Sequence, residues 1–295
     1  MAELLMRKGY DWWPVDKVIL GYFGAAIAIE LFWWSRLPNP MELLIAHLAG
    51  ILLMVLIAMR PANRALHFFH YWYPIFYVFY CYKEMSILIP ALRTTNADAW
   101  LAELDLRLWG SNPTVWLERL RSPLLVEALV IVYSGFVPVI LIMALIMWQK
   151  KQFDDFRYYA FLIALGFLTS YVGYLLVPAR GPRFLLRHLQ TYELQGLRLF
   201  HWLTATLDRI ESAHYDCFPS GHTEMTILAW WGSRAISANL FRLMFVYTLG
   251  VVFATVYLRY HYTVDVMAGA IVAGGVIAIA PRIYRALGGQ RNEAA

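Results

Sequence analysis

Charged side chains are scarce in this chain. Asp, Glu, Lys and Arg make up 15% of its 295 residues, against about 25% in an average soluble domain. With 60% hydrophobic and 16% aromatic residues, the composition excludes an ordinary soluble fold. Cysteine is scarcer still. Cys81 lies inside an apolar run and Cys217 just before a histidine motif, with no CxxC pair and no Cys/His cluster. Neither a disulfide framework nor a metal site is therefore expected, and no cofactor. The formal charge of +5 is spread over short loops and forms no basic face. Nucleic acid is not an expected partner.

What is present is apolar length. A hydrocarbon core of about 30 Å needs roughly 20 apolar residues in a helix. Runs of that kind occupy 18–35, 41–59, 67–90, 123–148, 158–177, 222–238, 241–258 and 264–284. The fold class is all-α: a polytopic membrane helical bundle of about eight spans. Ala26-Ile27-Ala28 has the look of a signal cleavage site, but apolar and aromatic residues continue past it, so an uncleaved anchor is expected. Eight spans put both ends on one side. That side holds Arg7, Lys8 and Lys17, then Arg60 and Arg64, then Lys150, Lys151 and Arg157, then Arg234 and Arg242, and finally Arg282, Arg285 and Arg291. Four of the five lysines are among them, and the density in short loops makes this the cytoplasmic side. Two longer segments, 91–122 and 178–220, fall on the other side. Each carries an amphipathic stretch: Leu101, Leu104 and Leu108 against Glu103, Asp105 and Arg107, and Leu199, Leu203, Leu207 and Ile210 in the second. Such helices lie in the interface, where they either roof a lateral lipid entrance or cap the bundle.

Three motifs share that side. Phe218-Pro219-Ser220-Gly221-His222-Thr223 stands where an outer loop becomes a helix. Ser220 suits an N-cap and Gly221 a close backbone approach. The first N–H groups of the helix form an anion site, and His222 can donate a proton to whatever the anion is bonded to. Thirty-nine residues on, after one hairpin of two spans, comes His261-Tyr262-Thr263-Val264-Asp265. His261 and Asp265 are four apart and share a helix face, so the carboxylate can hold one imidazole nitrogen protonated and leave the other to attack. Pro178-Ala179-Arg180-Gly181-Pro182-Arg183-Phe184 adds two arginines on a stiff loop, suited to binding phosphate bidentately. Each motif also has a structural reading: a helix cap, a packed His–Asp pair, and interfacial arginines on lipid headgroups. Their convergence on one side favours chemistry.

Together these residues resemble the type 2 phosphatidic acid phosphatase superfamily, over roughly residues 66–284. The resemblance implies a six-helix membrane core with the site at one face. It assigns His261 as the nucleophile that forms a phosphohistidine, Asp265 as its orienter, and His222 as the acid for the leaving group. Two positions depart from the family pattern. Its first motif pairs a lysine with an Arg-Pro, where this chain reads Gly181-Pro182-Arg183 without the lysine. Its arginine six residues before the nucleophile is Thr255 here, with Arg259 two residues before His261 as a substitute charge. In this the chain is more similar to the branch containing inositol phosphorylceramide synthase.

The expected organisation is a two-span extension over 1–65, a six-span catalytic core over 66–285 and a cytoplasmic tail over 286–295. The expected activity is lipid phosphate phosphatase in the inner or plasma membrane, with its site on the non-cytoplasmic face. Phospholipid headgroup transfer is the near alternative, and a non-catalytic transporter or scaffold the third. Beside the catalytic trio His261, His222 and Asp265, the phosphate would be bound by Arg180, Arg183, Ser220, Gly221 and Arg259. Lys83 would stand in for the missing lysine, unless it forms an ion pair with Glu84. The partners are a lipid phosphate substrate and the membrane lipids themselves.

Overall fold

The computed structural model describes residues 11–59, 64–210 and 215–290. Arg7, Lys8, Arg60 and Arg291, used above to orient the chain, lie outside the described residues, as do the side chains of Arg64 and Ile210. The described chain is all-helical. An N-terminal hairpin of α1 (Pro14–Phe32) and α2 (Pro40–Ala58) leads into α3 (Arg64–Leu92). α4 (Asp98–Trp109) and the single turn α5 (Pro113–Trp116) then lie at one end of the bundle. The chain re-enters through α6 (Pro123–Ser134) and α7 (Phe136–Gln149), bent by 47° at Gly135, and crosses again as α8 (Phe153–Leu176). The turn α9 (Pro182–Leu185) and α10 (Phe200–Ile210) complete the second peripheral segment. The last three helices are α11 (Gly221–Ser233), α12 (Ala238–Tyr257) and α13 (Thr263–Ala286). One isolated parallel bridge, Ala179 to Asp216, ties the two outer loops together.

Five helices, α2, α3, α8, α12 and α13, are long and apolar enough to cross a membrane, or six spans if the bent α6–α7 pair is one. The chain is thus a multi-pass membrane protein, with fewer fully qualified spans than the eight expected. The difference lies in α1 and α11. α1 is long enough but contains Asp16, Lys17 and Glu30. α11 has only 13 residues, roughly 20 Å of helix and short of the hydrocarbon thickness. It sits inside the bundle against α8, α12 and α13, with Met225, Leu228 and Ala229 fully buried.

The outside of the bundle is apolar too. Phe32, Phe76, Leu124 and Ile271 are each more than 65% exposed, the distribution expected where lipid replaces water as solvent. The buried core runs along α1, α3, α8 and the inner faces of α11 and α13. A separate small cluster of Leu101, Ala179, Leu186, Cys217 and Tyr262 packs the outer loops onto α4.

Candidate functional site

α4 organises the site from outside. Glu103 and Arg107 face outward, as the amphipathic reading of 101–108 expects, but not every polar residue does. Asp98 and Asp105 are buried, while Leu108 is exposed. Seven residues apart, the two acids share a helix face. Asp98 accepts the backbone N–H groups of Arg180 and Gly181 at 2.9 and 2.7 Å and the Tyr262 hydroxyl at 3.1 Å. Asp105 accepts the N–H groups of Thr263 and Val264 at 2.9 and 3.0 Å, together with the Thr263 hydroxyl. One acid shapes the arginine loop; the other satisfies the first amides of α13. Gly181 stands at φ +100, and any side chain there would press on the Tyr260 carbonyl.

The N-terminus of α11 is built as its sequence indicates. Ser220 caps it, its Oγ accepting from Thr223 N at 3.3 Å, a contact worth about 1 kcal/mol. A Cβ on Gly221 would collide with the Tyr174 hydroxyl, so only glycine lets α8 approach here. His222 stacks on Tyr133 of α6 with ring centroids 4.1 Å apart, and its Nδ1 lies 3.3 Å from the Tyr133 hydroxyl. Tyr133 stacks in turn on Tyr260 at 4.4 Å.

His261 follows the turn out of α12, where Arg259 takes φ 66. Its ring centroid is 5.9 Å from that of His222. His261 Nδ1 lies 2.9 Å from the carbonyl oxygen of Cys217 and 3.6 Å from Asp265 Oδ2. A carbonyl can only accept, so Nδ1 carries the proton and Nε2 the lone pair. The nearer orienting group is therefore a backbone carbonyl that sequence reasoning did not supply, with Asp265 behind it. Asp265 accepts from Tyr262 N at 2.9 Å and from the Cys217 thiol at 2.8 Å. Cys217, His261 and Asp265 do bring possible metal-ligand atoms within 4.8 Å of one another. Burial and then the adjacent Asp265 push the Cys217 thiol well above its usual range, in keeping with its donation to Asp265 Oδ2.

Arg180, Arg183, Gly221, His222 and His261 all line one cavity of about 470 Å³. Its outer end also holds Asp216 and Tyr260, and it continues between α3, α7 and α8 past Val78, Ile140, Ile163 and Phe156. Leu203, Thr206 and Leu207 of α10 cover part of it, as a roofing helix would. Arg183 pairs with Asp208 of α10 at 3.0 Å, and Arg180 stacks on Phe184.

Three of the expected phosphate ligands are not among the cavity-lining residues: Ser220 (the buried cap of α11), Arg259 and Lys83. The Arg259 guanidinium, 5% exposed, donates to Glu118 Oε1 at 2.9 Å, to Gln190 Oε1 at 2.8 Å and to the Tyr192 carbonyl at 3.0 Å. It knits the outer loops and is not among the cavity-lining residues. Lys83 Nζ lies 5.5 Å over the Phe79 ring and is likewise outside the lining, while Glu84 turns inward to His47. Asp216 is the residue that sequence reasoning missed. It accepts from the Tyr82 hydroxyl at 2.7 Å, and burial raises its carboxyl above the ordinary range. Its signal was an acid six residues ahead of His222 on the histidine side of the membrane.

The model of the PAP2 superfamily matches residues 99–279, more than half of the chain, including both histidines and both arginines at the cavity but not α3, which also lines it. The chain belongs to the PAP2 superfamily, whose members are phosphoesterases or phosphotransferases. No curated protein and no solved structure gives a significant match.

Proposed function

We propose that this chain is a lipid phosphate phosphatase working through a phosphohistidine on His261. The observation that carries the reading is the hydrogen bond from His261 Nδ1 to the Cys217 carbonyl, which leaves Nε2 as the nucleophile at the head of a lipid-sized apolar cavity. Nε2 attacks phosphorus, and the bond from phosphorus to the lipid oxygen breaks. His222 supplies the proton to that oxygen. Water then attacks phosphorus, returning a proton to His222, and the P–N bond breaks to release phosphate. Asp265, 3.6 Å from Nδ1, offsets the charge the ring gains. Arg180, Arg183 and the backbone at Gly221 bind the non-bridging oxygens, so positioning and fixed charge carry the reaction. Arg259 supports this loop arrangement from behind. The site would face away from the cytoplasm, with 66–285 as the catalytic core and 1–65 as an added hairpin.

The test is incubation of purified protein with a panel of lipid phosphates and phospholipids, reading free phosphate and new lipids together. Phosphate release from a monoester, abolished by His261→Ala, is expected. Turnover that survives this substitution would end the phosphohistidine reading.

Headgroup transfer remains a second reading because of one feature of the cavity. Its two arginines share it with Asp216, a charge balance that suits a singly charged diester as well as a dianionic monoester. A headgroup-exchanged lipid appearing in place of free phosphate would select it.

A further inference from the structure

A second cluster of ionisable groups lies in the N-terminal helices, outside the matched family region and away from the cavity. Glu30 of α1, His47 of α2 and Glu84 of α3 are each at most 2% exposed. His47 Nδ1 lies 3.1 Å from the Leu43 carbonyl and 3.2 Å from Glu30 Oε1, and its Nε2 lies 3.5 Å from Glu84 Oε1. The Leu43 carbonyl accepts, so Nδ1 is a donor on that side, while Nε2 faces Glu84. None of the four carboxylate oxygens of Glu30 and Glu84 has a hydrogen-bond partner, nor has Nε2. The surroundings offer little relief: the Phe23 and Tyr80 rings pack edge-on to His47, and Cys81 beside Glu84 is a buried free thiol.

Two buried carboxylates this close together in a lipid-embedded bundle repel unless a proton or a metal cation lies among them. One nitrogen of His47 and one oxygen from each acid lie within 4.8 Å of one another. The 3.5 Å contact between Nε2 and Glu84 Oε1 is close to the edge of a tetrahedral site, about 3.3 Å for bonds of about 2.0–2.1 Å. A divalent ion also neutralises both carboxylates while the imidazole stays neutral. The Nδ1 bond to a backbone carbonyl is the usual device for orienting a ligating histidine. We propose that Glu30, Glu84 and Nε2 of His47 form a binding site for a divalent transition-metal ion of the zinc class, which clamps α1 and α2 to α3. α3 in turn lines the catalytic cavity with Val78 and Tyr82, so the added hairpin is fastened to the core through this site.

The experiment uses the untagged full-length protein in detergent, exposed to Zn²⁺ or Co²⁺, freed of loose ions and measured by elemental analysis. About one ion per chain is expected, retained in Cys217→Ser and lost in Glu30→Gln and Glu84→Gln. The Co²⁺ form should show visible bands of a nitrogen–oxygen site without a sulfur charge-transfer band. Folded wild-type protein that retains neither Zn²⁺ nor Co²⁺ would overturn the proposal and leave the cluster as a proton-holding triad. A sulfur band, or full metal retention in both glutamine variants, would equally overturn it by moving the ion elsewhere. Should the variants fail to fold, the wild-type stoichiometry and spectrum still decide.

Discussion

The two histidines at the cavity mouth differ in the work asked of them, and that difference is measurable. His261→Ala removes the nucleophile, so even an ester with an excellent leaving group should remain intact. His222→Ala removes only the acid, and a nitrophenyl-type phosphate ester should regain much of its turnover in that variant alone. Equal loss in both would break the role assignment. Arg259 calls for a different measurement, because Glu118 holds it in a pair whose side chains are 6% and 10% exposed. Glu118→Gln leaves a buried guanidinium uncompensated and should cost about 3–5 kcal/mol of stability, read by denaturation in detergent. A phosphate-binding role for Arg259 would instead show as a rise in KM at unchanged stability in Arg259→Lys. Asp216 adds a pH dependence. Burial raises its pKa, so its contribution to stability is full below the ordinary carboxyl range and is lost as pH rises through the raised value. Asp216→Asn, which keeps an acceptor for Tyr82, should therefore gain stability over wild type at neutral pH, with the gap closing in acid. These residues show how far sequence reached: motif spacing led to the expectation that the two histidines and Asp265 meet, and they lie close together, whereas the Cys217 carbonyl and the Arg259–Glu118 pair depend on loop paths that no spacing encodes.

Among the elements, the roof over the cavity is the most exposed to test. α10 begins where Glu127 of α6 accepts four successive backbone N–H groups, from Leu197, Arg198, Leu199 and Phe200, at 2.6–3.2 Å. A carboxylate at a helix start satisfies the orphan amides and complements the positive end of the helix dipole. Four hydrogen bonds converge on this one charged acceptor, which makes Glu127 a strong tie on the roof. Glu127→Ala should speed amide exchange across 197–209 while leaving α8 and α13 protected. It should also raise turnover of short-chain, water-soluble phosphate esters relative to long-chain lipids, because the side entrance loosens. Unchanged exchange in that segment would mean the roof is held by its apolar face instead. The amphipathic pattern of 199–210 was legible in the sequence, and Leu203 and Leu207 do face the cavity. The same pattern misled at α4, where leucine periodicity hid two acids seven residues apart that point inward. Buried backbone amides at loop and helix starts outweighed the leucine face there. The short α11 was misread for a related reason. Its apolar run continues through Trp230 and Trp231, but Gly232, Ser233 and the 234–237 turn end the helix early.

For the whole molecule, apolar length made the membrane class legible, but the number of crossings needed three-dimensional packing to count. The ends of the bundle differ in what they gather. Lys17 Nζ donates to the Leu287 carbonyl at 2.7 Å, Asp11 N to the Ala58 carbonyl at 3.0 Å, and Arg157 stacks over Trp13 at 4.3 Å. Lys150 and Gln152 reach the 235–236 turn at 3.3 and 2.9 Å. The loop residues 11, 58, 150–152, 235–236 and 287 therefore share one end, and the histidines, Arg180 and Arg183 share the other. α8, with 24 residues or about 36 Å of helix, separates 150–152 from 178–183 by a full membrane thickness. In the proposed orientation the lysine-bearing short loops at the first end face the cytoplasm, and the cavity mouth with its α10 roof faces away from it. Single cysteines at positions 151 and 188, on a Cys81→Ser, Cys217→Ser background, should react with a membrane-impermeant maleimide from opposite sides of sealed vesicles. Both native cysteines are buried, so background labelling should be low even before their removal. Labelling of 151 from the cytoplasmic side and 188 from the far side fixes where the substrate phosphate is met. Reaction of both from one side would mean that α8 does not cross, and the site would then have to be reached from the cytoplasm.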